Sequence, residues 1–464
     1  MKDEAYTPTL DDIINLAKRR GFIFPSSDIY GGLANTYDYG PYGVMLKQNL
    51  QQAWWQQFIA ERDDIYPIDS SVIINPAVWE ASGHVQNFAD VMVEDTVNNQ
   101  RYRADHLIED HYEKKGEEIK VDGKTVEELQ EILDSEGIKS PDGNPLSPPK
   151  KFNTLFETKI GIVTGAKNTA YLRGEIAQGI FINFKNIVDS YSPTLPFGIG
   201  QSGKAFRNEI TAGKFTFRTL EFDLMEFEYF FDHEEQDWNQ LFEFWKTEVN
   251  QFAQRIGLNK EKLRWRPHEE FELSHYSSRT EDLEYKFPWG HKEMFAIAYR
   301  TDFDLRNHEE QSGKNLHFRT REGKKLIPHV IEPTFGLSRL VTIILMDAFK
   351  QEEVDGKTRT VLKLNKKIAP IKAAVFPLQK DEKLQKLARD LYDGIRSKYS
   401  AEYKNSGNIG KMYRKQDEIG TPYCITVDYD SLKDNAVTIR DRDTMEQERI
   451  KIDEVISFLD KNLI

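Results

Sequence analysis

"SGKAFRNEITAGKFTFRTLEFDLMEFEYFF", residues 202–231, decides the fold. It reads as a hairpin: a run carrying Arg207 and Glu209, a turn rich in glycine and lysine, and a return run alternating acids with aromatics. Residues two apart on a strand share a face, so Arg207 and Glu209 point one way. On the return, Phe222, Leu224, Glu226 and Glu228 do the same. An arginine fork donates two hydrogen bonds and keeps its charge, which suits a phosphate. A carboxylate can accept from an exocyclic amine, and a ring can stack on a purine. The same pattern also fits a solvated hairpin closed by a salt bridge, and the segment alone leaves the two readings level.

Around that hairpin, 464 residues provide for two or three domains with ample cores. Aromatic content of 12% and charged content of 30% describe a soluble globular chain. No run of 18 apolar residues predicts a membrane span. The opening stretch is not expected to be a signal peptide. It reads as a capped helix, with Thr9 as N-cap, Asp12 three residues on, Lys18 to Arg20 at the end and Gly21 as terminator. The single cysteine, Cys424, excludes an intrachain disulfide and a cysteine-based zinc site, and points to a reducing cytosol. The histidines show no metal-ligand spacing, so the metal expected is magnesium that arrives on a phosphate, with no zinc. A net charge of −13 argues against coating nucleic acid, yet leaves room for a local basic surface.

Residues 1–367 read as one large domain with an inserted hydrophilic module at about 91–150, and residues 368–464 as a separate α/β module. Residues 10–65 predict two helices around a Gly/Tyr-rich turn, residues 152–230 predict mostly strands, and Trp238, Phe242 and Trp245 mark a further helix. In the last module "IKAAVFPL", "YCITVDYD" and "AVTIRDRD" predict strands, and "DEKLQKLARDLYDGIRSKY" an amphipathic helix.

Three segments read together tip that balance toward the functional reading. "SSVIINPAVWEASGHVQNFAD", "FRNEITAGKFTFRTLEFDLMEFEYF" and "IEPTFGLSRLVTIIL" occur in the order of the three signature motifs of class II aminoacyl-tRNA synthetases. "RRGFIFPSSDIYGGLANTYDYGPYG", "YRADHLIED", "LSHYSSRTEDLEYKFP", "RTDFDL" and "DEIGTPYCITVDYDSLKDNAVTIRDRDTMEQ" narrow the match. Over nearly its whole length, except 111–150, the chain resembles the homodimeric type of glycyl-tRNA synthetase.

The resemblance implies a catalytic antiparallel sheet flanked by helices and a C-terminal α/β anticodon-binding domain. It implies a glycine–tRNA ligase of the cytoplasm that forms a homodimer and works with ATP and its magnesium, glycine and tRNA(Gly). By position, Arg207 and Arg339 are the catalytic arginines, on the α- and γ-phosphates. Asn208, Glu209, Phe217, Phe222, Glu293 and Gly336 complete the ATP site, with Glu209 on the adenine amino group and Phe222 stacked on the ring. Glu175, Glu226 and Glu332 fall to the glycine ammonium, with Thr334 beside them and Arg103 or Arg300 on the carboxylate side. No metal site of the protein's own is implied. For Arg103 and Arg300 a structural ion pair weighs equally.

The basic stretch with Lys411, Arg414 and Lys415, beside Tyr413, is the candidate tRNA contact, with Arg440 and Arg442 nearby. Several positions depart from the family pattern: Gly174 for proline, Leu220 for arginine, Leu224 for glutamine, and Phe295, Ala296 and Tyr299 where other residues are common. They keep two further readings in play, a synthetase-like tRNA-binding regulator without aminoacylation and an adenylating enzyme for another small amino acid.

Overall fold

The computed structural model describes residues 6–87, 89–117, 119, 121, 124–160, 168–208 and 215–463. Helix α1 (Leu10–Arg20) starts at the Thr9–Asp12 capping box and stops at Gly21, whose φ of 79° a side chain would resist. Helix α2 (Pro41–Trp55) follows the Gly/Tyr-rich segment.

The main sheet has seven strands: β1 (Ile65–Pro67), β2 (Phe197–Phe206), β3 (Glu221–Phe231), β4 (Leu263–Pro267), β5 (Arg279–Phe287), β6 (Gly290–Thr301) and β7 (His329–Gly336). They lie in the order β4-β5-β6-β7-β3-β2-β1, antiparallel except for β1 against β2. The opening hairpin therefore sits inside the sheet, and its return strand β3 is flanked by β2 and β7. Arg207 stands just past the end of β2, where its N–H donates to Leu220 O at 2.9 Å and closes the hairpin.

Register fixes the faces. Glu226 lies opposite Thr334, and Thr334 opposite Ala296 on the next strand; Glu332 lies opposite Ala298. The alternate residues Met225, Phe227, Phe295, Ile297, Ile331 and Phe335 enter the main core with Trp54, Phe58 and helix α3 (Trp238–Arg255). Phe227 meets Trp245 edge-on at 4.7 Å, a geometry that adds about 0.5–1.5 kcal/mol beyond area burial. One face of the sheet is thus a sealed aromatic core, and the other carries acids and small residues.

The stretch predicted as mostly strands, 152–230, also holds two short helices, Ala177–Phe181 and Phe184–Tyr191. Ile180, Phe181, Phe184 and Ile187 fall at helical spacing and are buried against Phe197 and Phe230. Helices α4 (Phe303–Ser312) and α5 (Leu337–Ala348) follow β6 and β7. Between residues 89 and 153, the described residues form three strands and two helices around a small core of Val93, Ile108, Leu129 and Leu133.

The C-terminal sheet comprises β8 (Ala373–Pro377), β9 (Ala401–Tyr403), β10 (Tyr423–Val427), β11 (Ala436–Asp441) and β12 (Gln447–Lys451), ordered β9-β8-β10-β11-β12. Helix α6 (Glu382–Arg396) buries Leu384, Leu391 and Ile395 in a core of this module's own. Helix α7 (Ile409–Ile419) ties it to the rest. Glu418 accepts from Arg20 at 2.5 Å, and Asp417 accepts from Arg359 at 2.8 Å.

Candidate active site

A cavity of about 270 Å³ opens on the acidic face of the sheet, against the start of α5. Its outer part is lined by Arg207, Phe217, Phe222, Glu293, Gly336 and Arg339, and its inner part by Glu175, Glu226, Tyr276, Ala296, Glu332 and Thr334. Residues from five separated segments converge there because β3, β6 and β7 are neighbours in the sheet.

At the outer end each arginine is held by a ring and a backbone carbonyl. Arg207 lies 5.5 Å over the Phe222 ring, and its Nε donates to Gly174 O at 2.9 Å. Arg339 lies 4.4 Å over Phe217, and its Nη1 donates to Glu293 O at 2.8 Å. The Glu293 carboxylate stands 3.1 Å from the same nitrogen, and the Arg339 charge holds its pKa below the usual range. Guanidinium groups oriented this way offer forks to an anion, while the rings supply flat apolar surface.

The inner end is a buried charge cluster. Arg300 is fully buried, donates to both oxygens of Asp304 at 2.8 and 2.9 Å and to Glu332 Oε2 at 2.9 Å, and rests 3.7 Å over the Tyr276 ring. Glu175 lies 2.9 Å from His84 Nε2 and accepts from Gln178 at 3.0 Å. Burial would raise its pKa, but the charges of His84 and Arg300 prevail and hold it well below the usual carboxylate range. Glu226 behaves oppositely: burial, then the charges of Glu332 and Glu175, push it well up. Burial also raises Glu332, against the pull of Arg300. Two carboxylates facing the same space, Glu175 and Glu226, thus differ because one lies against His84, Gln178 and Arg300 and the other has an oxygen, Oε1, with no hydrogen-bond partner among the described residues.

The remaining residues singled out in the sequence are placed as follows. Arg300 stands behind the cavity wall rather than on it, bound to carboxylates. Arg103 is not among the lining residues; it sits on the inserted module between Asp90 and Asp105. The Asn208 backbone N–H donates to Thr154 O at 2.7 Å. Glu209 lies outside the described residues. Lys411 and Arg414 are exposed on α7, and Lys415 approaches Glu402 at 3.6 Å. Arg440 and Arg442 are buried instead, bound to Asp417 and Asp443, so both brace the fold.

Two departures from the family pattern face away from the cavity. Phe295 packs on Phe335 at 4.8 Å, and Tyr299 stacks on Trp238 at 4.6 Å. Leu224 does line it, packed with Ile176 and Ala205, and Gly174 serves through its carbonyl to Arg207. Sequence reasoning passed over His84, Gln178, Tyr276 and Asp304. Each lay within or beside a recognised segment, but nothing in its local pattern tells a buried partner of a carboxylate from an ordinary surface polar group.

Residues 372–462 match the family described as an anticodon binding domain. The glycine–tRNA ligase of Caldanaerobacter subterraneus subsp. tengcongensis is 48% identical over 459 residues, covering 98% of each chain. That of Staphylococcus haemolyticus is 48% identical over 458 residues, covering 97% of this chain and 98% of its own. Among solved structures, the prolyl-tRNA synthetase of Cryptosporidium parvum, crystallised with halofuginone and AMPPNP, superposes with a TM-score of 0.64 at 14% identity. It covers 98% of this chain and 77% of that one, a likeness of fold. Among the described residues no helix is long and apolar enough to cross a membrane.

Proposed function

We infer the reaction from the family: the chain belongs to the glycine–tRNA ligases. It activates glycine with ATP to glycyl-adenylate, releasing pyrophosphate, and passes the glycyl group to the 3′ end of tRNA(Gly). The observation that carries this reading is one cavity with arginines over aromatic rings at one end and carboxylates at the other.

The glycine carboxylate oxygen attacks the α-phosphorus, the bond to the bridging oxygen breaks, and pyrophosphate leaves. No covalent enzyme intermediate is needed, so the work of the site is alignment and charge stabilisation. Arg207 holds the α-phosphate and Arg339 the γ-phosphate, each fixed by its ring and carbonyl. Phe222 offers its face to adenine, with Phe217 beside Arg339. Magnesium carried by ATP would neutralise charge on the phosphate oxygens. Glu293, a hard oxygen donor on the outer lining, is the residue that fits it.

An ammonium has three donors and no acceptor, and Glu175, Glu226 and Glu332 converge as acceptors for it. Ala296, Ala298, Thr334 and Leu224 form the surrounding wall, and selection of an amino acid without a side chain requires that this wall exclude one by contact. Exclusion by contact escapes the limit of about 1–3 kcal/mol on rejecting a missing methylene. Pyrophosphate exchange tests the reading: it should depend on glycine and fail with alanine. Exchange with another amino acid, or tRNA binding without exchange, overturns it.

The exposed basic pair Lys411 and Arg414 supports α7 as the tRNA-facing element of the C-terminal domain. Two copies form the working enzyme, a reading supported by Ile29, Tyr30 and Leu33, which are 89%, 88% and 61% exposed in one short segment. Light scattering should return twice the chain mass, and Tyr30→Asp should reduce it. The reaction belongs to cytoplasmic protein synthesis.

A further inference from the structure

Glu228 lies beneath the inner end of the cavity and does not line it. It shares a strand face with Glu226, is fully buried, and neither carboxyl oxygen has a hydrogen-bond partner among the described residues. One oxygen each from Glu226, Glu228 and Glu332 lie within 4.8 Å of one another.

Three buried carboxylates this close do not all ionise, and their surroundings decide which stays neutral. Glu332 accepts from Arg300, and Glu226 opens on the cavity, where a cation can reach it. Glu228 has neither resource. The groups acting on it are Glu332 on β7, Arg300 on β6, Glu226 on its own strand and Asp304 on α4. Of these Arg300 alone is cationic, and its guanidinium is already engaged by Asp304 and Glu332. Burial and the neighbouring negative charge of Glu332 both favour the protonated form.

We propose that Glu228 is a resident neutral carboxylic acid that positions the neighbouring carboxylates of the cluster, Glu332 and Glu226, as acceptors for the substrate ammonium. A neutral acid brings an O–H donor to a cluster of acceptors, in which Glu226 Oε1 has no hydrogen-bond partner among the described residues. It also limits the negative charge that the cavity must hold when empty. Glu228 is a positioning residue, since it acts through the neighbouring carboxylates. The role rests on the glycine reading of the cavity; the protonation state does not.

Infrared difference spectra of the substrate-free protein test the proton directly. Subtracting Glu228→Gln from wild type at neutral pH should leave the carbonyl band of a protonated carboxyl, and a carboxylate band instead overturns the proposal. Because no substrate is present, this result stands whether or not the cavity takes glycine. The positioning role is read from glycine-dependent exchange. Glu228→Gln keeps a neutral donor, so the glycine KM should stay within about twofold, whereas Glu228→Met should raise it about tenfold with kcat changed less. Equal behaviour of the two variants would reduce Glu228 to filler. A Glu228→Gln loss as large as that of Glu226→Gln would mean the charge itself is used. Circular dichroism confirms that both variants fold. Absence of glycine-dependent exchange in wild type refutes the glycine reading and the positioning role with it, and leaves the neutral acid to the spectra.

Discussion

Arg300→Met isolates the charge that holds the inner end of the cavity together. Arg300 is fully buried and makes three charged hydrogen bonds, two to Asp304 and one to Glu332, with Glu175 4.0 Å away. Methionine fills similar apolar volume, so the loss is chiefly electrostatic: Asp304 and Glu332 remain buried without their cation. Breaking one side of a buried ion pair costs about 3–5 kcal/mol, and a cluster with two acids on one arginine belongs at the upper end.

The effect should depend on pH with a definite sign. Glu332 is already raised despite Arg300, and removing that cation raises it further. The folded variant then binds more protons than the unfolded chain around neutrality, so its stability increases as pH falls. Each proton so retained changes the deficit by about 1.4 kcal/mol per pH unit. Urea unfolding followed by the fluorescence of the buried Trp54 and Trp245 at pH 8 and pH 5.5 measures both quantities. A deficit below about 1 kcal/mol, within what an exposed ion pair contributes, would refute the argument. So would a deficit that is the same at both pH values.

Arg207→Ala should abolish most glycine-dependent exchange while folding normally, because the described partners of its side chain include a backbone carbonyl and the Phe222 ring rather than a buried core group; normal exchange would remove it from the phosphate site. Lys411→Glu with Arg414→Glu should raise the tRNA KM, steepest at low salt, and leave exchange unchanged. Loss of exchange as well would point to misfolding. His329, lowered to about 4 by burial and by His233 stacked 3.9 Å away, costs stability as pH falls from its ordinary 6.5 towards 4. Partial exposure reduces that cost to about 1–2 kcal/mol, and His329→Gln should flatten this limb of the acid unfolding curve. An unchanged curve would show that His329 does not titrate alone.

What the sequence carried by itself was local chemistry and chain order. The Thr9–Asp12 capping box and Gly21 stop bound α1 because capping depends on residues a few positions apart. Alternation over residues 221–231 gave a strand with Glu226 and Glu228 on one face, since strand periodicity is a backbone property. Tertiary structure alone decided what each side chain meets. Arg300 could as well have faced a substrate, and it became a buried brace because β6 lies beside β7 and ahead of α4. Phe295 and Tyr299, departures from the family pattern, are core packing through a register set by their neighbours. Glu228 shares its strand face with Glu226, yet one lines the cavity and the other is sealed beneath it. Periodicity assigns a face, but burial and charge depend on which distant segments close over it.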